Sequence, residues 1–107
     1  MIYELRTYVC APGRLNDVVA RFESPVIGIW NELGIETVGF WTHETEGKQE
    51  LIYLLYWNSE EERNVKMSAF AKDLRWLEAK EASERNGAIV ESFSAKTLEP
   101  MAFSALR

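Results

Sequence analysis

Glu4, Arg6 and Tyr8 stand at alternate positions of the run Ile2-Tyr3-Glu4-Leu5-Arg6-Thr7-Tyr8-Val9, so a strand here projects all three to one face. An unpaired charge in a dry core costs several kcal/mol, roughly, so that face belongs to solvent, to a polar cavity or to a closed ion pair. In a cavity, the planar fork of Arg6 can hold a carboxylate or an enolate, while Glu4 fixes Arg6 or takes a proton. The alternative is that Glu4 and Arg6 neutralise each other, within one chain or across a subunit interface, with no ligand at all. His43 is the one histidine. It can serve as a general base near neutral pH, but a single imidazole makes no His-based metal site and nothing locates partners for a Ser-His-Asp triad. The region from Ser59 to Glu84 offers no histidine to ligate a haem. Cys10 is the only cysteine, which allows neither an internal disulfide nor a thiolate cluster. The residues therefore call for no metal and no cofactor.

The elements that must hold these groups follow from periodicity. Pro12-Gly13 punctuates the first strand. From Leu15 the apolar residues Leu15, Val18, Val19, Phe22, Val26, Ile29, Trp30 and Leu33 recur at helical spacing. Pro25 lies inside that pattern and predicts a break near Glu23-Ser24. Gly34 ends the helix, and Ile35 to Glu44 alternates as a strand, with Val38, Phe40 and Thr42 opposed to Gly39, Trp41 and His43. Thr45-Glu46-Gly47-Lys48 has hairpin chemistry and leads to a strand from Glu50 to Trp57. Ser59 with Glu62 forms a capping box for the next helix, and Asp73 offers a second cap, so Ser59–Lys72 and Leu74–Glu84 read as two segments, the later one docked by Trp76 and Leu77. Glu60-Glu61-Glu62 is an N-terminal charge run favoured by the helix dipole rather than a ligand cluster. Asn86-Gly87 closes the helix. Ala88 to Leu98 is the last strand, with Glu91 and Phe93 on one face and Val90 on the other.

Strand, helix, two-stranded hairpin, helix, strand is the βαββαβ order of an α+β, ferredoxin-like split βαβ fold: one antiparallel sheet with its helices on one face. The other face then needs a cover, and a second copy of the chain is the economical one, which makes a homodimer the expected state. With 107 residues, 47% of them hydrophobic, the chain fits a single domain over 1–107, in which 99–107, with Pro100 and Phe103, forms an aperiodic C-terminal tail. The net charge of −5 and the lack of any basic stripe argue against nucleic acid. No apolar run is long enough to span a bilayer, and the first residues form a strand rather than a signal peptide, so a cytoplasmic protein without membrane partners is expected.

Several segments together resemble the NIPSNAP family: Ile2-Tyr3-Glu4-Leu5-Arg6-Thr7-Tyr8, Pro12-Gly13, Gly39-Phe40-Trp41-Thr42, Asn58-Ser59 with Glu62-Arg63, Trp76, Leu98-Glu99-Pro100 and Phe103-Ser104. The resemblance covers essentially the whole chain and implies a dimeric α/β barrel, in which two sheets face each other around a cavity. If Tyr3, Leu5, Thr7 and Val9 face the helices, then Glu4, Arg6 and Tyr8 enter that barrel. Similarity in the third strand places Tyr53, Leu55 and Trp57 beside them, where family members tend to carry a histidine at the position of Tyr53. Trp41 and His43 would line the barrel from the second strand, and Glu91 and Phe93 from the fourth. The expected pocket then has aromatic walls of Trp41, Tyr53, Trp57 and Phe93 and a polar set of Glu4, Arg6, Tyr8 and Glu91. The leading expectation is a homodimer of undefined activity that binds a small organic ligand. Its rivals are a cofactor-independent monooxygenase or isomerase of aromatic or quinone-like substrates, with His43, Tyr8 and Tyr53 as catalytic candidates, and an interaction or scaffold protein without catalysis.

Overall fold

The computed structural model describes residues 1–107. β1 (Ile2–Cys10) is followed by α1 (Leu15–Arg21), a π-helical turn (Phe22–Val26) and α2 (Ile27–Leu33). The hairpin of β2 (Glu36–Thr45) and β3 (Lys48–Trp57) leads to α3 (Glu60–Lys72), α4 (Leu74–Ser83) and β4 (Val90–Leu98). The four strands form one sheet in the order β2-β3-β1-β4, antiparallel at every junction. This is the ferredoxin-like α+β arrangement expected from the element order. The molecule is a slab of 45 × 35 × 18 Å, one sheet and one layer of helices thick. No helix is long and apolar enough to cross a membrane.

Local chemistry sets the boundaries. The helical run breaks where Pro25 requires it: Ser24 is extended (φ −155°, ψ 120°) inside the π-helical turn. Gly34 caps α2 in the left-handed region, at φ 74°. Glu46 and Gly47, with φ 50° and 78°, make the two-residue hairpin turn whose twist matches the strands. The Ser59 hydroxyl accepts from the Glu62 amide, and the Glu62 carboxylate reaches back to the Asn58 amide and side chain. Asp73 ends α3 and accepts from the Arg75 amide to start α4.

Pairing register decides which residues share a face. Glu4, Arg6 and Tyr8 lie opposite Leu55, Tyr53 and Leu51, and these β3 residues belong to the core formed with Val18, Phe22, Val26, Ile29, Trp30 and Phe70 of the helix layer. The expected assignment of the faces is therefore reversed. Glu4, Arg6 and Tyr8 lie beneath the helices, whereas Tyr3, Leu5, Thr7 and Val9 share the bare face with Glu50, Ile52, Leu54 and Tyr56, where Tyr3 alone is buried. Either face of β1 can be buried, one because it is apolar and the other because its charges have partners, so alternation alone could not choose between them. Two smaller corrections follow. A bulge between Val9 and Cys10 places Val90 opposite Cys10 and Phe93 opposite Tyr8, so both sit on the helix side. Trp76 stacks on Phe70, but Leu77 is largely exposed and docks nothing.

Replacing Ser59 by Ala removes the hydroxyl that satisfies the Glu62 amide and is expected to lower stability by about 1 kcal/mol without changing the fold. Urea unfolding followed by circular dichroism measures it, and an unchanged midpoint would deny the cap any role.

Candidate functional site

Glu4 is the centre of the polar network beneath the helices. It is 1% exposed, and its two carboxylate oxygens accept four hydrogen bonds. Trp57 Nε1 (3.0 Å) and Arg63 Nε (2.9 Å) donate to Oε1, while Arg6 Nη1 (2.9 Å) and Arg63 Nη2 (3.0 Å) donate to Oε2. Burial alone would raise its pKa, but the hydrogen bonds from Arg63, Arg6 and Trp57 outweigh it and hold the carboxyl below its ordinary value. Glu4 is thus a saturated anion and has no lone pair left for use as a base.

Arg6 is the better placed group. Its Nε donates to the Tyr53 hydroxyl at 2.7 Å and its Nη1 to Glu4, but Nη2 makes no hydrogen bond to the protein. Burial works against its charge, and Tyr53, Tyr8 and Glu4 more than offset that, so its pKa is raised. Tyr8, Tyr53 and Phe93 surround the guanidinium, with ring centres 5.9, 5.8 and 5.3 Å from its carbon. The Tyr53 hydroxyl in turn donates to Tyr8 at 3.1 Å. Burial, then Tyr8, pushes the Tyr53 phenol well above its ordinary pKa against the pull of Arg6, so Tyr53 is a proton-bearing donor and not a base. With its own proton uncommitted, Tyr8 can donate to an incoming oxygen. β4 is exposed along nearly its whole length and Phe93 is 62% exposed, so the approach to Arg6 runs beside that strand.

The other expected site residues are dispersed. Tyr53 and Trp57 are fully buried in the helix-side core. Trp41 and His43 project from the opposite face of the sheet, as their pairing with Ile52 and Glu50 shows, and the Trp41 ring lies over Gly39. Glu91 falls in the β4 bulge, and its carboxylate meets Lys48 Nζ at 3.0 Å near the surface. His43 therefore cannot act together with Tyr8 and Tyr53. No three His, Cys, Asp or Glu side chains come close enough to share a metal ion.

Three residues of this layer were not singled out from the sequence as candidate site residues. Arg63 completes the Glu4 network from the first turn of α3; the signal for it was a buried carboxylate whose two oxygens need more donors than Arg6 alone can supply. Arg21 is 8% exposed, donates to Ser83 Oγ at 3.2 Å and lies 4.9 Å from the Trp76 ring. Its place three residues after Val18, on the apolar face of α1, was readable. Trp30 carries the one buried side-chain donor without a partner, Nε1. Nothing in its spacing distinguished it from core.

The Glu4 network yields an expectation with a definite sign. Because the folded pKa of Glu4 is depressed, its stabilisation is fully present above the unfolded value of about 4.3 and is lost as pH falls through the lower folded value. Glu4→Gln leaves Arg6 and Arg63 facing a neutral amide and is expected to cost about 3 kcal/mol at pH 7. That gap from the wild type should stay level from pH 7 to pH 6 and narrow below about pH 4.3. Urea titrations at pH 7, 6 and 3.5 test this, and a gap that does not change with acidification would contradict it.

Comparison with known proteins sets this geometry in context. The NIPSNAP family model matches residues 3–105. No curated protein matches the chain. A NIPSNAP family protein of unknown function from Agrobacterium tumefaciens is 28% identical, with a TM-score of 0.84 over 100% of this chain and 94% of that one. A second family member from the same organism is 22% identical, with a TM-score of 0.86 over 99% and 98%. The same fold appears in the Streptomyces coelicolor monooxygenase ActVA-Orf6, solved with nanaomycin D, at 18% identity and a TM-score of 0.62 over 94% and 88%. With its family model spanning nearly the whole sequence, the chain belongs to the NIPSNAP family.

Proposed function

We propose that this protein is a homodimer, paired through its bare sheet face, in which each subunit binds a small aromatic molecule bearing a carboxylate or carbonyl against Arg6, Tyr8 and Phe93. The observation that carries this reading is a mismatch of charge and donors. Two guanidiniums surround one carboxylate, Glu4 is saturated, and Arg6 keeps an unspent Nη2 among aromatic rings. An oxyanion supplies the missing acceptor, and Phe93 supplies a face for the ring that carries it. The site is thus moved from the space between sheets to the helix side. Trp41, His43 and Glu91 drop out of it, and Tyr53, Trp57 and Glu4 become its supports. For pairing, the bare face offers Leu5, Val9, Ile52, Leu54 and Trp41, an apolar surface that a copy of itself would cover.

A second reading is favoured by the chain of hydroxyls. With Tyr53 donating to Tyr8 and Tyr8 free to donate onward, the same site can stabilise an aromatic or quinone-like substrate that arrives already ionised, such as the enolate of a hydroxyquinone, during its direct reaction with oxygen. The fold is shared with the Streptomyces monooxygenase, an analogy of architecture alone.

Native mass spectrometry with salicylate as probe tests the first reading. The wild type should run as a dimer and take up salicylate; Arg6→Met should remain dimeric and bind at least tenfold more weakly, and Ile52→Lys should shift the protein to monomer. Undiminished salicylate uptake by Arg6→Met, or an Ile52→Lys protein that remains a dimer, would refute the corresponding half. The catalytic reading expects oxygen consumption with a hydroxynaphthoquinone to fall at least tenfold in Tyr8→Phe, and an unchanged rate would remove it.

A further inference from the structure

The helix layer holds a second space of ligand size that the Arg6 site does not use. A cleft of about 190 Å³ lies between the break in the first helical run and the sheet, lined by Val19, Phe22, Ile27, Phe40 and Leu51, with Glu23 its one polar neighbour. The Tyr53 ring separates it from Arg6, stacking on Phe40 at 5.1 Å on one side and facing the guanidinium at 5.8 Å on the other. Glu23 and Ile27 flank the extended Ser24, so the cleft sits where the helix ladder is interrupted. Phe22 is its inner wall. The same ring borders a hole of about 10 Å³, room for one water, beside Tyr8, Arg21, Trp30 and Trp76.

We infer that this cleft is a subsite for a single six-membered aromatic ring without an anionic group. Size and lining argue for the ring. A cleft of about 190 Å³, open to solvent on one side and walled by aliphatic and aromatic side chains, has room to seat one six-membered ring with a small substituent directed outward. The rings of Phe22 and Phe40 stand 5.5 Å apart at a steep angle, a geometry that gives a guest an edge and a face to contact. Charge argues for the class, because the Glu23 carboxylate at the rim repels a carboxylate substituent and suits an amine. The preference is thus opposite to that proposed for the Arg6 site, and neither site depends on the other. An occupied cleft presses on Phe22, whose ring meets Trp30 edge-on at 5.6 Å.

Methyl and indole NMR of the full chain, titrated separately with toluene, benzylamine and benzoate, tests the inference. Toluene and benzylamine should shift the methyls of Val19, Ile27 and Leu51 and the Trp30 indole signal to saturation, with benzoate requiring at least tenfold more. Val19→Phe and Ile27→Phe, each filling the cleft with a side chain, should both abolish the toluene response. Arg6→Met should leave it unchanged, so that failure of the salicylate site and failure of the cleft are separate results. Silent cleft methyls, shifts confined to Leu5, Ile52 and Leu54 of the bare face, or a toluene response that persists in both filled variants would overturn the site. Equal affinity for benzoate and benzylamine would overturn the assignment of its ligand class.

Discussion

The carboxylate of Glu4 ties the sheet to the helix layer. It sits on the central part of the sheet and draws donors from β1, from the end of β3 and from the first turn of α3, so three elements are fixed relative to one another through one side chain. Burying a carboxylate is tolerable only when every lone pair is met, and here each oxygen accepts two donors. Meeting that demand takes Arg63 in addition to Arg6, which leaves the buried cluster with one positive charge in excess. The unspent donor of Arg6 is thus a by-product of the way Glu4 is satisfied. The ion pair and the ligand contact weighed as alternatives from the sequence are therefore compatible, since closing the pair around Glu4 leaves a donor of Arg6 over.

Much of the architecture was legible because it is written in local chemistry. Pro25 broke the helix, the Ser59 and Glu62 pair started α3, Asp73 divided α3 from α4, and Glu46-Gly47 turned the hairpin. What was not legible was the orientation of β1. The strand has one face of Tyr3, Leu5, Thr7 and Val9 and another of Glu4, Arg6 and Tyr8, and hydrophobicity assigns the first to the core. β3 gives no help, since Ile52, Leu54 and Tyr56 are as apolar as Leu51, Tyr53 and Leu55. Where both faces of a strand are this apolar the pattern alone does not choose the core side, and only the docking of helices decides which side is which. Arg63 was the missing clue, because its pairing with Glu4 depends on a contact across 59 positions of sequence that no periodicity reveals.

The candidate site was legible in kind and not in place. Glu4, Arg6, Tyr8, Tyr53, Trp57 and Phe93 do share one face, but the expected orientation was inverted for β1, β3 and β4 and right for β2, which leaves Trp41 and His43 on the other side. Once that orientation is corrected, the one histidine is separated from the buried hydroxyls by the sheet itself. Any chemistry in the helix-side pocket must therefore run on phenols and a guanidinium. These groups hold protons firmly, as the raised pKa values of Tyr53 and Arg6 show. Such groups can stabilise an oxyanion but are poorly suited to removing a proton.

The helix layer itself explains why space remains above the sheet. An unbroken helix from Leu15 to Leu33 would present an even apolar stripe, and Val19, Phe22, Val26 and Ile27 would close over Leu51 and Phe40. The extended Ser24 interrupts that stripe, and the side chains on either side of it frame a cleft instead of filling it. Phe22 is the residue on which the two sides of the layer meet, in edge contact with Tyr53 and Trp30 and bordering both the cleft and the small hole beside Tyr8. The break at Pro25 therefore does more than join two helices, since it frames the cleft and sets Phe22 as the wall between cleft and hole.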